Sequence, residues 1–114
     1  MSENLFKNID FAKSIDLENL VDYQEGRVVS RTLAQGKPIS ITLFSLDENE
    51  EIASHVTSGD AMVYLLDGEA QITIGDETHI VKKGETIVMP SNVPHALLAK
   101  KRFKMLLVVI YSLK

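Results

Sequence analysis

Residues 49–68 read NEEIASHVTSGDAMVYLLDG and residues 84–99 read GETIVMPSNVPHALLA, and the alternation inside these two stretches decides the fold. Ala61, Val63 and Leu65 occupy every second position with Met62 and Tyr64 between them, which is the period of a half-buried strand. His55 and Thr57 share a strand face in the same way, as do His95, Leu97 and Ala99. Asp67-Gly68 stands between two apolar runs and reads as a tight hairpin turn, with Gly75-Asp76 as a second one.

The flanking segments extend this pattern. RVVSRTL (27–33) and PISITLFSL (38–46) are short, β-branched and period-two, and Gly36-Lys37-Pro38 between them has the chemistry of a turn. Turn signals recur roughly every 8–12 residues, the spacing of a sandwich or small barrel. No segment after position 25 keeps a 3.6-residue period over three turns. Residues 1–26 are read as an N-terminal extension, in which Asp16 caps a single helical turn at Leu17 to Leu20. Residues 27–114 are read as one barrel domain, and the chain of 114 residues is the length of one core.

Composition narrows the function classes. Twelve lysines and arginines against sixteen acids leave a net charge of −4, so a nucleic-acid backbone is an unfavourable partner. Cysteine is absent, which removes disulfides, thiolate metal sites and cysteine nucleophiles together. The longest apolar run, MLLVVIY at 105–111, falls far short of the ~20 residues that span a bilayer, so no membrane association is expected. The first twenty residues carry scattered charges and no apolar block of the ~7–15 residues of a signal peptide, so a cytoplasmic location is expected. The acids between Asp47 and Glu51 read as a solvated loop. Lys100, Lys101, Arg102 and Lys104 read as charges that keep the strand after them soluble, and Met62, Met89 and Met105 as core filling.

The spacing of His55, Gly68, Gly84, Pro90 and His95 resembles the two short motifs of the cupin superfamily, written G(x)5HxH(x)3E(x)6G and G(x)5PxG(x)2H(x)3N. The resemblance covers residues 27 to 112, and it implies an all-β, single-domain jelly-roll barrel. Two departures affect the backbone: Asn49 and Asn92 stand where the motifs have glycine, and asparagine tolerates left-handed backbone better than most residues. Three departures affect chemistry. Thr57, Ala61 and Ala99 stand where the motifs have the second histidine, the glutamate and the asparagine. Two of the four positions that usually ligate metal in this superfamily therefore carry Thr57 and Ala61.

His55 and His95 are the candidate metal ligands, for a divalent iron, nickel, manganese or zinc ion. Catalytic zinc typically uses three protein ligands and non-haem iron two histidines and a carboxylate. A third ligand would have to come from Asp60, Glu69, Gln71, His79 or water. The leading expectation is instead a largely apolar lumen that binds a small molecule, lined by His55, Thr57, Ala61, Val63, His95 and Leu97, with the two histidines as polar anchors. A metal-dependent enzyme of the isomerase or dioxygenase kind and a non-catalytic homodimeric module are the alternatives. Exposed sheet edges make a homodimer the expected assembly.

Overall fold

A computed structural model describes residues 5–112. Among these, eight strands and one 3-10 turn account for the regular structure: Leu17–Leu20 for the turn, then β1 (Val28–Gln35), β2 (Ile39–Leu46), β3 (Glu51–His55), β4 (Gly59–Ile74), β5 (Glu77–Lys82), β6 (Thr86–Met89), β7 (His95–Leu98) and β8 (Phe103–Tyr111). The strands hydrogen-bond in the order β1-β2-β8-β4-β7-β3, and β5 and β6 also pair with β4. All the pairings are antiparallel. The fold is the all-β, cupin-like barrel expected from the sequence, and Asp16 caps the 3-10 turn by accepting from the Glu18 N–H at 3.2 Å.

β4 organises the barrel. Its first half pairs with β6 and β8 and its second half with β5 and β7, so one 16-residue strand passes from one face of the curled sheet to the other. Asp67-Gly68 lies within this strand, which corrects the hairpin reading. The pairing with β8 slips by one residue between Leu65 and Asp67, a bulge where the strand bends. Gly68 sits at φ +76, and a Cβ there would lie 2.1 Å from the Arg102 carbonyl oxygen. A bulge and a tight turn make the same demand on glycine, so the dipeptide alone does not distinguish them. The hairpin is at Gly75-Asp76, which joins β4 to β5 with Ile74 opposite Glu77. Asn49 and Asn92 adopt φ of 71 and 62, so both occupy the left-handed region that the motif glycines would otherwise supply.

The alternation Ala61, Val63, Leu65 points inward, at 2%, 0% and 0% exposure, toward Leu46, Ile72, Met89, Phe103 and Met105. The outer face of β1, β2 and β8 would leave Leu33, Leu43 and Leu106 in water. The N-terminal segment covers it with Ile9, Leu17, Leu20 and Val21, which form a second apolar cluster with those residues. Tyr23 pins the segment in place. Its hydroxyl donates to Asp67 Oδ2 at 2.6 Å, and the Arg102 guanidinium stacks over its ring at 4.4 Å. Lys104 Nζ lies 5.0 Å from the same ring and donates to the Glu18 carbonyl at 2.8 Å. Arg102 and Lys104 therefore hold the extension against the barrel, and Lys104 is buried rather than a solubilising charge. Met89 and Met105 fill the interior as expected, whereas Met62 is 39% exposed on the outer face.

Candidate functional site

His95 stands on β7, which is paired on both sides, with His55 of β3 opposite it and Ile74 of β4 on the other side. It is 2% exposed. His55 lies at the end of β3, an edge strand, and is open to solvent. A central strand thus supplies a fixed imidazole and an edge strand supplies the imidazole at the rim. The two rings meet edge to face, with centroids 4.3 Å apart and Nε2 to Nε2 at 3.1 Å.

The other ring nitrogens decide the proton arithmetic. His55 Nδ1 is 3.0 Å from the Ala53 carbonyl oxygen and His95 Nδ1 is 3.3 Å from that of Val93. A carbonyl only accepts, so each of these contacts requires an N–H on Nδ1, and the contact between the Nε2 atoms requires a third proton. Two neutral imidazoles carry two protons for three contacts. All three contacts are satisfied together only when the pair takes up an added proton or another cation. Against this, burial first, and then the charge of the neighbouring His55, hold the His95 imidazole below its ordinary value.

The pair borders a cavity of about 410 Å³. Thr57, Ala61 and Leu97 line it alongside His55 and His95, so five of the six residues singled out in the sequence share one space. Val63 does not reach it. It sits one row deeper on β4, opposite Leu107 and Ile87, and is completely buried in the core. Lining residues that the sequence did not single out are Ser40 and Phe44 on β2, Ile52 on β3, and Leu107, Val109 and Tyr111 on β8; Met89 on β6 and Met105 on β8, read as core filling, line it as well. Those on β2 and β8 keep strict alternation. The apolar run of β8 hid its phase, because both of its faces are covered, one by the lumen and one in part by the N-terminal segment.

The candidate third ligands do not converge on the histidines. Asp60 Oδ1 accepts from the Ser91 N–H at 2.9 Å on the outside of the barrel. His79 lies on β5 opposite Ile72, and Glu69 and Gln71 pair with Lys82 and Ile80. None of these four lines the cavity. The Thr57 hydroxyl accepts from the Gly59 N–H at 3.3 Å, and Ala61 presents a methyl group. Among the described residues no three His, Asp or Glu side chains cluster as a metal site. The donor set does not match the three protein ligands of a catalytic zinc or the two-histidine, one-carboxylate set of non-haem iron.

Comparison with known proteins agrees with this architecture. A family model described as a cupin domain matches residues 42–111. The chain is 46% identical to a conserved protein of unknown function from Streptococcus pyogenes, with 100% of both chains covered and a TM-score of 0.96. It is 31% identical to a cupin superfamily protein from Desulfitobacterium hafniense, over 94% of this chain and 98% of that one, at a TM-score of 0.89. A cupin 2 conserved barrel domain protein from Leptotrichia buccalis is 40% identical over 84% of this chain and 47% of its own, at a TM-score of 0.83. No curated protein matches the sequence.

Proposed function

This chain belongs to the cupin family, and we propose that its barrel binds a compact, largely apolar small molecule whose acidic head group is held by His55 and His95. The observation that carries this reading is the imidazole pair, whose three contacts call for an added cation, at the edge of an otherwise mostly apolar cavity. A carboxylate complements the pair: on binding, a proton taken up from solvent completes the three contacts, and the carboxylate faces the resulting positive charge. Phe44, Ile52, Ala61, Met89, Leu97, Met105, Leu107 and Val109 remove the hydrocarbon body from water. At the ~30 Å³ that a water molecule occupies in the liquid, the space holds roughly a dozen non-hydrogen atoms.

Thermal shift tests the reading. A panel of small carboxylic acids with hydrocarbon bodies is expected to raise the melting temperature of the parent protein. Occupancy at a hundred times Kd is worth about 2.7 kcal/mol. The His55→Ala/His95→Ala variant is expected to lose most of the shift. Should no compound move the parent's melting temperature, the binding function is wrong.

The contact between the two Nε2 atoms favours a second reading, in which His55 and His95 would hold a divalent iron, nickel, manganese or zinc ion that would supply Lewis-acid chemistry. Elemental analysis of untagged protein after incubation with each metal tests it. Substoichiometric metal throughout removes it. Homodimerisation is part of the proposal, with the sheet edges and the N-terminal segment bonded along β1 through Lys7 and Asn8 as the natural contact. A monomer mass by light scattering at micromolar concentration would contradict it.

A further inference from the structure

A second cavity of about 360 Å³ adjoins the first, and Ser40 and Tyr111 line both. Its other polar walls are Thr32, Gln35, Lys37 and Thr42. The chemistry therefore changes across a boundary of two residues, from hydrocarbon with imidazoles to hydroxyls, an amide and one ammonium. Among the described residues no acidic side chain lines this compartment, and Lys37 is its one charged group.

These polar groups have unspent hydrogen-bonding capacity. Thr32 and Thr42 stand directly opposite each other on β1 and β2. Thr73 and Thr78 are opposite in the same way on β4 and β5, and their hydroxyls bond at 3.1 Å. Thr32 and Thr42 make no such bond. The side chains of Gln35, Lys37, Ser40 and Tyr111 likewise have no hydrogen-bond partner within the described residues. Donors converging on one concave space without internal partners are available to a ligand.

We infer that this polar compartment is a second acid-binding subsite, and that the ligand carries an acidic group at each end of an apolar body, one at the His55–His95 pair and one at Lys37 and the hydroxyls. The inference rests on the reading of the inner cavity and adds the class of ligand. Lys37 lies in the exposed turn between β1 and β2, so changing it leaves the core intact.

Calorimetric titration of 1-octanol, octanoate and the dicarboxylates hexanedioate, octanedioate and decanedioate into the parent protein tests it. The best dicarboxylate is expected to bind about five- to tenfold more tightly than octanoate, the scale of one partly exposed charge-assisted contact. That advantage should shrink at high salt. Lys37→Met is expected to abolish the advantage and leave octanoate and octanol unchanged, and Lys37→Arg to keep most of it. If no dicarboxylate outbinds octanoate, or if Lys37→Met leaves the gap intact, the second subsite is wrong while octanoate binding keeps the inner reading. If neither octanoate nor octanol binds the parent, both fall together.

Discussion

The two ends of the barrel are built by the same strands and differ in side-chain size. At one end Leu65, Phe103 and Leu46 meet with 0% exposure and fill the interior. At the other, β4 presents Ala61, and Met89 and Val109 opposite it face open space. Strand pairing continues through both ends, so the backbone does not make the cavity. Small residues at positions 57 and 61 make it, where the superfamily motif places a histidine and a glutamate. Thr57 and Ala61 leave space there that a histidine and a glutamate would fill.

Breaking the filled end has the largest expected effect. Phe103→Ala deletes a ring with no exposed surface, and Phe-to-Ala changes in cores cost about 3–5 kcal/mol. Against a typical total of about 5–15 kcal/mol that is a large share, readable by urea denaturation. A loss below about 2 kcal/mol would mean that the filled end relaxes as easily as the open one. Gly68→Ala comes next. It combines a left-handed backbone, worth about 1–2 kcal/mol for a residue with a Cβ, with a backbone oxygen 2.1 Å from the new atom. Gly84→Ala is the control, because φ is +85 there but nothing lies within 4 Å of the added Cβ. The Gly68 variant should be the less stable of the two, and equal losses would remove the close approach as a cause.

Much of this contrast was legible in the sequence. Val63 and Leu65 alternate with Tyr64 strictly enough to set the inward face of β4, and the histidine spacing placed His55 and His95 together across a strand pair. What was not legible has a physical cause in each case. Period two gives the direction of a side chain but not its depth along the barrel, so Val63 read as lining when it is one row too deep. Asp67-Gly68 meets the demands of a turn and of a bulge equally. Lys104 carries a charge that in a single sequence reads as surface, and only the Glu18 carbonyl and the Tyr23 ring account for its burial.

Tyr23 joins the N-terminal segment to the strand bend at the filled end, and Tyr23→Phe removes a hydrogen bond to a carboxylate while keeping the ring. Bonds to charged groups are worth about 1.5–3 kcal/mol, and partial exposure puts the expected loss near the bottom of that range. Burial, followed by the bond to Asp67, pushes the Tyr23 hydroxyl well above its ordinary value, so the bond survives throughout the neutral range. At the open end, the unfolded chain protonates histidine near its ordinary 6.5, while folded His95 resists. The unfolded state therefore binds more protons as pH falls, and the contribution of His95 is complete above about 6.5 and lost below it. The melting temperature should fall from pH 7 to pH 5, less steeply in His95→Gln. Equal slopes would show that His95 is not the group responsible.

The smallest expected effect on stability carries the most information about the cavity. Ala61→Leu adds three carbon atoms to a methyl group that borders open space, with Met89 and Val109 opposite. In a filled core that insertion costs about 1–3 kcal/mol. At position 61 the cavity of about 410 Å³ accepts the side chain, so the melting temperature should stay level or rise while binding of every small acid is lost. The same substitution logic at the filled end, Ala70→Leu at 0% exposure, should be clearly destabilising. If Ala61→Leu also destabilises by a kilocalorie or more, the space is closed in solution and the difference between the two ends of the barrel disappears. If it leaves stability and ligand binding both untouched, the small acids bind somewhere other than between β4 and the histidines.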